Sequence, residues 1–286
     1  MKIGISGLGL IGGSIALQLK KANPECTIMG YDTSKQHQKK ACEAGLVDQL
    51  LNHKDELLEA DLIILAMPVN AILKMLPYYL DRISNQVITD TGSLKHELCE
   101  AVANHPRRKN YVAGHPMAGT EHSGPDAAKS DLYRDRYWIL SEVDKSGESA
   151  LEGMIKIISL LKAHILYIDP VKHDEQMAYL SHLSHLSSFA LATTINKAEK
   201  NGNGHISHLA GGGLYSTIRL ANSSSSMWTP IFNMNSNNMI NCIDNFIDNL
   251  NTLKDQIKNR DHDALTQQIK KANKIYGKIY NEKNQK

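Results

Sequence analysis

Along the first 170 residues, short and largely apolar runs alternate with longer stretches of mixed character. Ile3–Ser6, Thr27–Tyr31, Asp61–Met67, Gln86–Asp90, Tyr111–Gly114, Tyr137–Leu140 and His164–Ile168 make up the runs. Apolar runs of this length predict strands buried on both faces, the condition of a parallel sheet. Between them, Leu10–Lys21 carries Ile11, Ile15 and Leu19 at helical spacing, Ser34–Ala44 reads as a polar helix with Thr33 or Ser34 as N-cap, and Glu148–Lys162 reads as a further helix. Strand–helix alternation of this kind predicts an α/β fold with a doubly wound sheet ending near Asp169-Pro170.

After Pro170 the pattern changes and no strand is expected. Lys172–Lys200 reads as one long helix, with Met177, Leu180, Leu183 and Leu186 towards one side. Gly202-Asn-Gly204 reads as a loop, Gly211-Gly-Gly213 as a turn, and Phe232–Ile257 and Asp263–Tyr280 as two amphipathic helices. The expected division is therefore residues 1–169 as a nucleotide-binding domain and 170–286 as an all-helical domain. By fold analogy, such a helical domain closes over substrate and joins two copies into a homodimer.

The first strand runs into Gly7-x-Gly9-x-x-Gly12, and Asp32 follows at the end of the second strand. Strand, glycine turn, helix, strand and acid in this order form a dinucleotide-binding fingerprint of the Rossmann type. Gly7 permits the tight turn, Gly9 lets the backbone approach a pyrophosphate, and Gly12 lets the helix pack closely on the sheet. The helix that starts near Leu10 and Ile11, after Leu8, points its free N–H groups at phosphate. Asp32 accepts hydrogen bonds from ribose hydroxyls and repels a 2′-phosphate, which makes NAD the expected cofactor.

Composition narrows the class further. A chain of 286 residues has room for two domains. Its net charge of +2 carries no nucleic-acid or membrane signal. No apolar stretch approaches the roughly 20 residues of a membrane span, and the N-terminus leads straight into a strand, so no signal peptide is expected. Cys26, Cys42, Cys99 and Cys242 lack metal spacing and read as thiols in a reduced, cytoplasmic protein. No metal site is expected.

In an open α/β sheet the ligand lies beyond the carboxyl ends of the strands. Three segments follow such ends: Met67-Pro68, Asp90-Thr-Gly-Ser-Leu-Lys95 and Gly114-His-Pro-Met-Ala-Gly-Thr-Glu121. His115 is the expected base, because imidazole titrates near neutrality and takes a proton from an alcohol as hydride departs. Ser93 is expected to orient His115 or touch the nicotinamide, its bland alternative being an N-cap for a helix over Leu94–Ala103. Lys95 reads as a solvent-facing residue at the start of that helix.

With Gly7–Ser14, Thr89–Lys95, Gly114–Glu121, His173-Asp174, Ser181-His-Leu-Ser-His185 and Arg219-Leu-Ala221 in this order, the chain resembles the prephenate and arogenate dehydrogenases from residue 1 to about 240. The resemblance implies His115 as catalytic base, Ser93 as the serine that positions it and the nicotinamide, Glu121 as an acid at the mouth of the site, His182 and His185 as the two histidines of the substrate site with the second near the substrate ring, and Arg219 as the grip on a substrate carboxylate. A guanidinium suits that last task because its forked donors match a carboxylate. The chain departs from the family pattern where Ser184 replaces a proline, Ser216 stands where an acid often pairs with the arginine, and Pro230 replaces an acid. Trp228 reads as a packing residue at the domain junction.

The resemblance implies NAD-dependent oxidative decarboxylation of prephenate, a step towards tyrosine. Arogenate is the nearest rival substrate, but its amine calls for a nearby acid, and His185 and Pro230 favour prephenate. A 3-hydroxy acid dehydrogenase would use a lysine such as Lys172 and leave the His115 segment unexplained. A non-catalytic NAD-binding module would have no use for His115, Ser93 and Arg219.

Overall fold

The computed structural model of the chain describes residues 1–120, 122–202 and 205–284. The expected fold class holds: a mostly parallel Rossmann-type sheet is followed by a helical region. The strands and helices of the first part are β1 (Lys2–Ser6), α1 (Leu10–Ala22), β2 (Thr27–Tyr31), α2 (Lys35–Glu43), β3 (Gln49–Leu50), β4 (Leu62–Leu65), α3 (Val69–Leu80), β5 (Val87–Asp90), α4 (His96–Ala101), β6 (Tyr111–Pro116), β7 (Tyr137–Ser141), α5 (Glu148–Leu160) and β8 (His164–Tyr167). Eight strands form one sheet in the order β3-β2-β1-β4-β5-β6-β7-β8. Among the described residues only β6 and β7 pair antiparallel.

Alternate residues of the central strands enter opposite cores, as a pleated strand dictates. Ile3, Ile5, Leu62, Ile64 and Val112 pack with Ile15, Leu19, Met154 and Ile158 from α1 and α5. Ile63, Leu65, Ile88, Tyr111 and Ala113 pack with Ile72, Leu76 and Leu98 from α3 and α4. Burial on both faces is why these strands read as unbroken apolar runs rather than as alternating ones. Ser34 is the N-cap of α2, its hydroxyl accepting from His37 N–H at 3.3 Å.

Among the described residues six α-helices follow: α6 (Pro170–Met177), α7 (Leu183–Lys200), α8 (Gly212–Ile218), α9 (Ser225–Met234), α10 (Ser236–Lys258) and α11 (His262–Asn284). Three expectations change here. The long helix begins at Pro170, not Lys172, and a π turn at Ala178–His182 separates α6 from α7. The extra residue of a π turn shifts the faces of the helix that follows. The Gly211–Gly213 turn is the start of α8, with Gly211 as its N-cap. The helix expected over Phe232–Ile257 is broken at Asn235, a buried residue whose amide is drawn into contacts outside its own helix.

The chain forms two compact units, Met1–Ser236 and Asn237–Lys286. The first contains the sheet together with α6–α9, and the second most of α10 and all of α11. All four cysteines are free thiols. Among the described residues no helix is long and apolar enough to cross a membrane, and no group of three or more His, Cys, Asp or Glu is placed to hold a metal ion.

Candidate active site

Gly7 follows β1 with φ +98°, and a Cβ there would lie 2.4 Å from the Ala66 carbonyl oxygen. Only glycine fits that turn. A Cβ on Gly12 would lie 2.0 Å from the Gly7 carbonyl oxygen, whereas one on Gly9 would meet nothing within 4 Å. The turn is thus closed behind and open at Gly9. The first intrahelical bond of α1 runs from Gly13 N–H to the Gly9 carbonyl at 2.8 Å. The amides of Leu10, Ile11 and Gly12 therefore stand at the helix mouth as donors for an anion.

The Leu8 amide has another task. It donates to Asp32 Oδ2 at 2.8 Å, and Ser34 N–H donates to Asp32 Oδ1 at 2.8 Å. Two backbone donors hold this carboxylate at the end of β2, next to Gly9. A cleft of about 810 Å³ opens here, lined among others by Gly7, Gly9, Asp32, Met67, Pro68 and Ser226. An open face at Gly9, bare amides at the helix mouth and a fixed carboxylate at the β2 end are the features that hold the pyrophosphate and ribose of NAD.

His115 and Ser93 lie outside that lining, at the ends of β6 and β5. Ser93, half-buried, sits in the turn between β5 and α4. It does not cap α4, whose N-cap is Lys95. The Lys95 side chain is 0 % exposed, against the expectation of a solvent residue. Its ammonium pairs with the Asp90 carboxylate and donates to the Gly114 carbonyl at 2.6 Å. Asp90 also accepts from Tyr111 OH at 2.7 Å, Gly92 N–H at 2.8 Å and Gly114 N–H at 3.2 Å. This buried knot ties the Ser93 turn to the strand that carries His115.

His115 is half-buried, and its Nδ1 lies 2.9 Å from Nε2 of His173. Nδ1 of His173 in turn lies 2.7 Å from Asp174 Oδ1. The Asp174 carboxylate accepts from Lys95 N–H at 2.8 Å and His96 N–H at 2.9 Å, so a residue of α6 caps α4. Asn235 Nδ2 donates to the Asp174 carbonyl at 2.8 Å and lies 3.2 Å from His182 Nδ1. Trp228 is buried in α9. Its ring stacks on His185 at 3.6 Å and meets His182 edge-on at 5.8 Å. Trp228 is thus a wall of the histidine cluster as well as a packing residue.

Burial, the first cause in each case, holds His115 well below the usual histidine range and pushes His182 down to about 4; it also lowers His173 and His185. The smaller causes map neighbours. His115 feels His173, Lys95 and His182; His182 feels His185; and His185 feels Arg219. Arg219, exposed at the end of α8, therefore shares a neighbourhood with His185. Ser216, in the position where an acid was expected, is exposed on the same helix. Glu121 falls outside the described residues.

The sequence reading missed the roles of His173, Asp174, Lys95 and Asn235. The His173-Asp174 pair had stood out as part of a motif without a task.

A sheet with a dinucleotide turn and, at its strand ends, a cluster of histidines whose pKa values burial lowers defines an NAD-dependent oxidoreductase. Comparison with known proteins narrows the class. The model of the prephenate dehydrogenase nucleotide-binding domain matches residues 15–167, and that of the prephenate dehydrogenase dimerization domain matches residues 169–271. A prephenate dehydrogenase of Lactococcus lactis is 33% identical, over 96% of this chain and 76% of its own. A cyclohexadienyl dehydrogenase of Zymomonas mobilis is 30% identical, over 95% and 94%. The solved prephenate dehydrogenase of Aquifex aeolicus, in complex with hydroxyphenyl propionate and NAD+, superposes with a TM-score of 0.90 at 28% identity, covering 98% of each chain. The chain belongs to the prephenate dehydrogenase family.

Proposed function

We infer that the protein oxidises prephenate with NAD, releasing CO2 and 4-hydroxyphenylpyruvate on the way to tyrosine. The observation that carries this reading is the place of His115: an imidazole near the end of β6, on the same sheet as the strand ends that line the NAD cleft, with its pKa lowered by burial. NAD, when bound, accepts the hydride from the ring carbon that bears the hydroxyl. His115 takes the hydroxyl proton as the carbonyl forms. The bond to the ring carboxylate then breaks, CO2 leaves, and the electron pair passes through the ring to the carbonyl oxygen. His115 returns the proton to that oxygen, giving a phenol. Aromatisation drives the step, so the chain's main task is orientation.

Ser93 positions His115 and the nicotinamide, His185 stands near the ring with His182 behind it, and Arg219 grips a carboxylate. Glu121 is assigned to the mouth of the site on the family resemblance. Gly7 to Gly12, Asp32, Met67 and Pro68 hold NAD, and Asp32 disfavours NADP. On the same footing, residues 1–169 form the NAD-binding domain and 170–286 the substrate and dimer domain. Exposed Ile240, Ile247, Leu250 and Ile257 recur at helical spacing on α10, and such a stripe suits pairing with a second copy. The four free thiols suit a reducing cytoplasm.

Arogenate is the second reading, favoured by the cyclohexadienyl dehydrogenase among the relatives. One assay grid decides: prephenate and arogenate, each with NAD and NADP, followed by the absorbance of reduced nicotinamide. The expected result is fastest turnover with prephenate and NAD. Reduction with arogenate alone would replace the substrate, and no reduction with either would remove the reading.

A further inference from the structure

The His173-Asp174 pair lies next to the reacting histidine, yet neither residue has a part in the steps above. With His115 and His173 both neutral, the form their burial favours, its hydrogen bonds fix one arrangement of protons. Asp174 accepts two backbone N–H groups, one on each oxygen, an arrangement that favours the acceptor-only carboxylate. The 2.7 Å contact between Asp174 Oδ1 and His173 Nδ1 therefore has its proton on His173. A neutral His173 with a proton on Nδ1 has a bare Nε2. The 2.9 Å contact from that Nε2 to His115 Nδ1 then needs its proton on His115. A neutral His115 protonated at Nδ1 presents a bare Nε2.

The structure assigns His173 and Asp174 as positioning residues that fix the tautomer of His115, so that its Nε2 lone pair is the atom that takes the substrate proton. This rests on the proposed role of His115 as base. The chain of command runs inward: backbone amides of Lys95 and His96 hold Asp174, Asp174 sets His173, and His173 sets His115. His173 is 0 % exposed, so no water competes for either of its nitrogens. Once His115 has taken the proton, its Nδ1–H still points along a line of acceptors that ends in a carboxylate, and the new positive charge is stabilised there without any residue moving.

The motif spacing follows from the same geometry. The two residues are adjacent on α6, yet His173 reaches β6 while Asp174 reaches the start of α4. One dipeptide thereby locks the turn carrying Ser93 and the strand carrying His115 into a single frame.

Asp174→Asn is the sharpest variant. An amide at 174 can donate to His173 Nδ1, which moves the His173 proton to Nε2, turns its contact with His115 around and leaves His115 protonated at Nε2. We expect kcat to fall about 10²–10⁴-fold, as when a general base is lost or held in the wrong tautomer. KM for substrate and NAD should change by less than about threefold, because no group that binds either is removed. The companion measurement is nitrogen-15 NMR of histidine-labelled full-length protein, with His115 assigned by difference against His115→Gln. Wild type should show His115 with a proton on Nδ1 and a bare Nε2, and Asp174→Asn should show the reverse.

A wild-type His115 protonated at Nε2 overturns the assignment, and this holds even if Asp174→Asn fails to fold. So does an Asp174→Asn enzyme that keeps both kcat and the original tautomer. The expected tautomer in a protein that turns over neither prephenate nor arogenate would leave the assignment of the proton positions standing and remove the proposed reaction instead.

Discussion

The turn that faces the cofactor cleft and the cluster around His115 are built by different means. In the first, most of the groups come from one short stretch of chain: Gly7, Gly9, Gly12 and Asp32, with the Leu8 amide reaching a carboxylate 24 residues on and Ala66 to Pro68 added just after β4. In the second, the bonds that define the geometry join residues 58 apart (His115 to His173), 79 apart (Lys95 to Asp174) and 53 apart (His182 to Asn235). The cofactor turn is specified by local backbone conformation. The base cluster exists only once β6, α4, α6, α7 and α9 have come together. A loss of packing should therefore reach the base cluster first, and a local substitution in one region should leave the other intact.

The largest expected effect tests that independence. His115→Asn removes the proposed base and touches nothing in the glycine turn. Turnover should fall about 10²–10⁴-fold, while the affinity for NAD, read by quenching of protein fluorescence or by calorimetry, stays as in wild type. A variant with near-normal kcat would show that His115 is not the base. A variant with lost NAD binding would show that the two regions are one.

Lys95→Met should act on stability. It leaves the Asp90 carboxylate buried without its cation, and breaking a buried pair in this way costs about 3–5 kcal/mol. The urea midpoint should drop accordingly. Because Lys95 Nζ also holds the Gly114 carbonyl beside His115, the residual activity per folded molecule should fall as well. An unchanged midpoint would mean that the knot under the Ser93 turn contributes little.

The same contrast explains what could be read in the residues alone. The glycine spacing, Asp32, the unbroken strands and the Ser34 cap were legible because each depends on backbone rules acting over a few positions. The position of His115 near a strand end was legible too, although the strand runs through it to Pro116. Lys95 was misread, because a lysine beside a helix start is usually solvated and only the fold supplies Asp90 as its partner. Asn235 was hidden inside an apparently continuous amphipathic run, since its outside contacts come from α6 and the π turn. The π turn was equally hidden: the periodicity of Lys172–Lys200 continues through it, and only the positions of His182 and His185 around Trp228 show its effect. The family motifs marked His173-Asp174 as a pair, but its task depends on which nitrogen meets which partner.

Acid should separate the two regions by the smallest of these effects. His115, His173, His182 and His185 all have folded-state pKa values below the usual histidine range, with burial as the leading cause. The unfolded chain binds these protons near pH 6.5, and the folded chain declines them. The stability they contribute is complete above that pH and is lost as the pH falls. For His182, pushed down to about 4, the loss runs between those two values at about 1.4 kcal/mol per pH unit, or about 3 kcal/mol in all. The slope of unfolding free energy against pH from 6.5 to 4.5, from urea titrations, should therefore be smaller in His182→Gln than in wild type by nearly one proton. Equal slopes would show that His182 titrates normally and that the cluster around Trp228 is wet. Over the upper part of the same range kcat/KM should hold its plateau, because a His115 that resists protonation remains a competent base while the fold around it weakens.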